Sequence, residues 1–209
     1  MTSGPIDAQP PDRPTALLRA AEEVFCERGF AGGSAGAIAK RAGVNKALIF
    51  YHFGTKEGLF DQVVQRYYAA HRQALQGAFE RPGELGERMH RLMDAYFDFM
   101  ADNSRYARLV QHEVAAGDHG RLGAIRKGLQ SMLGWLEAAL ADQLTGAEDP
   151  ARSPRQLFVS FSGLVINYFT YAPALSEAWG DDPLGPDALA ERRAHLHWVL
   201  GALLSDLTE

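Results

Sequence analysis

The sequence predicts an all-α chain, and three observations carry that prediction. Apolar residues recur at three- and four-residue spacing along every long segment, and no segment alternates as a strand would. The periodic segments are separated by short runs of helix-breaking residues at 102–104, 117–120, 145–153 and 180–185. Residues 34–60 read as two short helices joined by a glycine-bearing turn and followed by the start of a third, the helix-turn-helix arrangement. The 209 residues are 46% hydrophobic and 22% charged, values of a globular chain able to bury a sizeable core as one large or two small domains.

Taken in order, residues 1–13 hold three prolines and no periodicity, and are expected to be a disordered arm. A first helix over 14–30 follows from Pro14 in its opening turn and the stripe Leu17, Ala20, Ala21, Val24 and Phe25, with Gly29 ending it. Ser34 is an N-cap for a helix over 35–41, and Ala42-Gly43 supplies the turn. Asn45 caps a second short helix over 46–52, while Ile38, Ala39, Val44 and Ile49 are spaced to pack the pair together. Thr55 caps a long helix over 56–79, closed by Arg81-Pro82-Gly83. Further helices are expected over 85–101, 105–116, 122–144, 154–172 and 186–207. The domain boundaries are placed at 14–60 for the helix-turn-helix domain and 61–209 for a helical second domain.

Charge separates the two parts. The chain carries −5 overall, which by itself argues against nucleic acid. Residues 13–60, however, hold seven Lys/Arg against four Asp/Glu, a net of +3, so the remainder carries −8. A basic module on an acidic body suits a protein that binds DNA through one small surface. On the second short helix, Lys46, Ala47, Leu48, Phe50, Tyr51 and His52 exceed what a core needs, with Ile49 already facing inward. Lys46 and Lys56 each place a cation in the first turn of a helix, which opposes the helix dipole unless a phosphate sits there. Together with Ser34 and Thr55 they form the expected DNA-contacting set, the lysines on phosphates and Leu48 outward on a base or sugar.

The string Ile38-Ala39-x-x-Ala42-Gly43-Val44-Asn45-Lys46-x-x-Ile49-Phe50-x-His52-Phe53-x-x-Lys56-Glu57-x-Leu59 resembles the DNA-binding domain of the TetR family of transcriptional regulators. The likeness extends back through Gly29-Phe30 to about Thr15, roughly a quarter of the chain. It implies an all-α homodimer with a small-molecule pocket in the C-terminal domain, acting as a repressor on a palindromic double-stranded operator. The chain departs from the family pattern at Gly33, where Thr or Ser is usual, at Gly36 and Ala37, and at Phe50, where Tyr is usual.

The later helices carry the remaining expectations. Residues 158–169 and 197–204 are apolar on several sides, which a monomer would leave exposed. A homodimer through Phe158, Phe161, Val165, Tyr168, Trp198, Val199 and Leu203 would cover them as a four-helix interface. The middle helices are rich in aromatic residues and methionine, so Tyr96, Met100, Met132 and Trp135, with Asn167 and Tyr171 as polar groups, are the expected walls of a pocket for a largely apolar effector. The rival reading, an all-α enzyme using that cavity, finds no chemistry. His112 and Glu113 are adjacent, about 100° apart around a helix, and are expected to form no joint site. His195 and His197 are likewise expected to form none. The run Ser160-Phe161-Ser162-Gly163 lacks the strand and glycines of a nucleophile elbow. No catalytic residue, metal site or cofactor is therefore expected. The single cysteine, Cys26, forms no internal disulfide. With no signal-like opening and no 18-residue apolar run identified, the expected location is the cytoplasm, away from any membrane.

Overall fold

The computed structural model describes residues 12–117, 122–141, 143 and 149–207, with side chains described as far as 204, so the expectation for the first eleven residues lies outside it. Among the described residues the elements are α1 (Arg13–Gly32), α2 (Ala35–Ala42), α3 (Ala47–Phe53), α4 (Lys56–Phe79), α5 (Leu85–Asp102), α6 (Ser104–Ala116), α7 (Leu122–Leu140), a 3₁₀ turn at Pro150–Arg152, α8 (Pro154–Trp179) and α9 (Pro186–Leu207), with no strand. The chain divides into two compact units, Met1–Val63 and Val64–Glu209.

In the first unit, α1 starts at Arg13 rather than in a loose arm, because the Asp12 carboxylate accepts the Thr15 N–H at 3.1 Å. Gly29 breaks the helical geometry with φ 67°, but the chain resumes helix to Gly32. The core is Leu17, Phe25, Ile38, Ile49, Leu59 and Phe60, each fully enclosed. Phe25, Phe30 and Phe60 form an aromatic cluster with ring centroids 5.1–5.7 Å apart. That cluster explains Gly33: a Cβ there would lie 2.7 Å from the Phe25 ring, so the Thr or Ser usual at this position cannot enter without moving it.

The second unit is built on α5, whose Met89, Met93, Tyr96, Phe97 and Met100 are all buried. It packs against α8 and α9, and α8 packs against α6 and α7. Ionic ties join α5 to α9. Arg193 donates to Asp94 at 2.9 Å and to Asp98, and His197 Nε2 lies 2.8 Å from Asp94. Burial opposes ionisation of Asp94, but the hydrogen bonds from His197 and Arg193 outweigh it and hold its carboxyl below the usual range.

Helix α8 differs most from expectation. It runs on through Pro173 to Trp179, because an interior proline removes one N–H bond without ending a helix that tertiary contacts hold. The Tyr168 hydroxyl donates to Pro183 O at 2.6 Å, and Gly180 closes the end by returning its N–H to Ser176 O. This helix also contains an apolar 18-residue stretch, with mean hydropathy 1.2, that the sequence reading passed over. Length and composition alone would let it cross a membrane, but its inner face packs on α5, α6 and α7.

Candidate nucleic-acid interface and effector cavity

The helix-turn-helix is built by local capping. Ser34 Oγ accepts the Ala37 N–H at 3.1 Å and starts α2, and Gly43 at φ 67° ends it by returning its N–H to Ala39 and Lys40. Asn45 Oδ1 accepts the Ala47 N–H at 2.8 Å, so α3 begins at Ala47, one residue later than expected, with Lys46 as its flanking residue. Thr55 Oγ1 accepts the Gly58 N–H at 3.0 Å and starts α4. Arg41 fastens α2 to α1 through a two-pronged bond to Glu27 at 2.6 and 2.9 Å, so its charge is matched within the fold.

Helix α3 turns Ile49 inward and presents Lys46, Ala47, Phe50, Tyr51 and His52 to solvent, Tyr51 at 81% exposure. Leu48, expected outward, is half-buried. Lys46 Nζ stands 5.7 Å from the Phe50 ring centre, and the Tyr51 and His52 rings meet edge to face at 4.9 Å. Ser34 and Thr55 are exposed beside their caps. Lys56 is different: its ammonium donates to Phe30 O at 2.8 Å and lies 4.0 Å from the Phe30 ring centre. One of its three protons is thus committed to closing the kinked end of α1, a structural task the sequence did not reveal.

The second unit contains two adjoining, partly open chambers, of about 50 and 80 Å³. Tyr96, Met132, Phe158 and Ser162 border both. The smaller has an apolar wall including Leu75, Met93 and Trp135, and Trp135 meets Phe79 edge-on at 6.0 Å. The larger is bordered by Met100, Tyr68, His71 and Gln111. Four of the six expected pocket residues therefore line the chambers. Asn167 and Tyr171 do not: both are exposed, Tyr171 at 60%. The reason is the facing of α8. Val165, Tyr168, Phe169 and Ala172 point inward, and positions 167 and 171 fall on the other side.

The same facing corrects the interface set. Val165 and Tyr168 are buried within their own chain, and Phe158 and Phe161 are half-buried and border the chambers, so the large outward apolar residues of α8 are Val159, Tyr171 and Trp179 instead. On α9, Trp198 at 70% exposure and Leu203 are outward and Val199 is half-buried. Sequence reasoning also missed His71, which is 2% exposed on the chamber wall. A signal existed: residues 67, 71 and 75 continue one face of α4 at four-residue spacing.

One histidine expectation changes. His112 Nδ1 and Glu113 Oε1 meet at 3.5 Å despite their adjacency, with Glu113 buried and His112 exposed. His197 belongs to the α5–α9 tie, while His195 lies against Trp198 at 5.6 Å between ring centroids. Among the described residues, no group of three or more His, Cys, Asp or Glu side chains is arranged to hold a metal ion.

With that geometry in place, the likenesses to known proteins fall into one pattern. Residues 17–63 match the family model of bacterial regulatory proteins of the tetR family, and residues 86–199 match that of a tetracyclin repressor-like C-terminal domain. The HTH-type transcriptional repressor Rv3405c of Mycobacterium tuberculosis is 40% identical over 174 residues, covering 83% of this chain and 81% of that protein. The HTH-type transcriptional activator FasR of Mycolicibacterium smegmatis is 33% identical over 99 residues, 47% of this chain and 45% of that protein, so the chain spans less than half of that relative's length. The transcriptional regulator FadR from Bacillus subtilis, solved in complex with stearoyl-CoA, superposes with a TM-score of 0.70 at 18% identity, covering 89% of this chain and 96% of that one; at such identity the likeness is one of fold. With both units matched in order and a 40% identical relative covering most of its length, the chain is a regulator rather than an enzyme, and it belongs to the TetR family of transcriptional regulators.

Proposed function

We propose that the protein is a homodimeric repressor of the cytoplasm, released from a palindromic operator by a small, largely apolar molecule held in its second unit. The observation that carries this reading is the outward face of α3, with Lys46, Ala47, Phe50 and Tyr51 in solvent, set in a capped helix-turn-helix. In the proposed complex α3 enters a major groove. Lys46 and Tyr51 hold phosphates, as do His52, Ser34 and Thr55, while Ala47 and Phe50 approach base edges. Lys56 contributes with the donors left after its bond to Phe30.

Two reading helices are needed for two half-sites, and the outward apolar residues Val159, Tyr171, Trp198 and Leu203 favour pairing through α8 and α9. The apolar chambers beside Tyr96 and Met132 favour an effector there, and the stearoyl-CoA bound to FadR is in keeping with a ligand role for this fold. Helix α4 runs through both units, with Leu59 buried in the first and His71 in the second. A ligand that shifts α4 at its second half therefore acts on a helix whose first residues belong to the helix-turn-helix unit. Its leverage is its difference in affinity for the two states, about 1–3 kcal/mol. Footprinting on the DNA upstream of the protein's own gene tests the proposal. A protected, roughly two-fold symmetric segment is expected, and protection of random DNA to the same extent would overturn it.

A further inference from the structure

We infer that the two chambers together take a compact, uncharged, mainly apolar molecule with one hydrogen-bonding group, that group held by His71 Nε2 and Ser162 Oγ and the apolar body lying toward Trp135. The inference deepens the reading of the second unit as the effector site and rests on it.

Two buried polar atoms carry it. His71 Nε2 has no hydrogen-bond partner, Ser162 Oγ meets only the Tyr96 hydroxyl, and both residues border the larger chamber. A buried donor or acceptor left unmet is destabilising, so the His71 nitrogen on the chamber wall, with the Ser162 hydroxyl on the same wall, marks a place where a partner belongs. The His71 ring cannot swing away to find water. It is stacked on Phe99 at 4.4 Å with 6° between planes, and flanked by Tyr96 at 4.7 Å and Tyr67 at 5.9 Å. The chambers are not alike. Beyond the shared border the smaller offers aliphatic side chains, Met89 and the Trp135 ring, whereas the larger adds His71, Tyr68 and Gln111. Polar and apolar ends are therefore set in line across Tyr96, Met132, Phe158 and Ser162.

Charge decides the ligand class. Among the described residues, no Lys, Arg, Asp or Glu borders either chamber. Burial pulls the His71 pKa down to about 3, so the imidazole is neutral at pH 7 and offers a carboxylate no counter-charge. An anionic or cationic head would be a buried ion without a partner, which is strongly unfavourable. An alcohol, ketone or amide meets the histidine and the hydroxyl without that penalty.

The test titrates the full-length protein at pH 7 with octanol, octanoate and octylammonium, probes that differ only in the head group, by calorimetry and tryptophan emission. Octanol is expected to bind at least about tenfold more tightly than either ion. His71→Leu is expected to weaken octanol about fivefold, one net hydrogen bond, while raising Tm, because the unmet nitrogen is gone; His71→Gln should restore most of the affinity. Octanoate or octylammonium binding as tightly as octanol would overturn the inference. So would an octanol affinity unchanged by His71→Leu, a lowered Tm with affinity lost in both variants, or no octanol binding by the wild-type protein. Octanol bound with the expected selectivity but without effect on operator affinity would uphold the ligand class and instead remove the effector role proposed for the site.

Discussion

Lys46 and Lys56 stand at the starts of successive helices, yet their surroundings give them different consequences. Lys46 is exposed, while Lys56 is half-buried and bonded to the Phe30 carbonyl. Lys46→Ala should therefore leave Tm unchanged and lower the slope of log affinity against log salt by about 0.9, one phosphate contact. Lys56→Ala should lower stability by about 1 kcal/mol, measured by urea unfolding, because it removes the hydrogen bond to the Phe30 carbonyl at the α1 kink. His71 gives a third residue-scale outcome. Its pKa falls from 6.5 to about 3 on folding, so the unfolded chain binds more protons between those values. Stability from this group is intact above about pH 6.5 and lost progressively as pH falls toward 3. His71→Leu should flatten that part of the stability profile in acid unfolding. At this scale the caps were legible, since Ser34, Asn45 and Thr55 act on neighbours within three residues. The partners of His71 and Lys56 were not, because Phe99 and Phe30 are brought to them only by tertiary packing.

At the scale of the element, α7 crosses α4 where Gly128 meets Tyr68. A Cβ at 128 would come within 2.3 Å of the Tyr68 ring, close to its root, where the side chain has little freedom to yield. Gly128→Ala should destabilise the fold by about 1–3 kcal/mol through overpacking, despite the higher helix propensity of alanine. Urea unfolding of that variant in a Tyr68→Ala background checks the cause: the loss should shrink once the ring is removed. Most helix positions were legible from periodicity, and α4 and α9 match their expected spans. The facing of α8 was not. Apolar side chains occur around its whole circumference, so spacing alone could not say whether Val165 or Val159 faced the core. Pro173 misled for a related reason, since its breaking tendency is local and the contacts that carry α8 on to Trp179 are not.

For the whole molecule, the exposed Trp198 is the most direct probe of assembly. Its substitution leaves the chain's own core untouched, so Trp198→Glu should keep full helicity by circular dichroism and shift sedimentation from dimer to monomer at micromolar concentration. A monomeric wild type would remove the two-half-site mode of binding. The fold class was legible at this scale because the helical signals and the capped helix-turn-helix agree; the pocket's polar end was not, because no local pattern distinguishes an imidazole turned into a cavity from one turned to water. That imidazole also bears on how such a regulator can change. Most substitutions lower stability, which limits how many a lineage or a designer can accumulate. Here residue 71 holds an unmet polar atom, so an apolar replacement there should firm the fold while weakening ligand binding at the proposed site. Such a step leaves a sturdier, less responsive scaffold with its DNA-reading unit unchanged, and that scaffold can absorb the destabilising substitutions through which a new signal is learned.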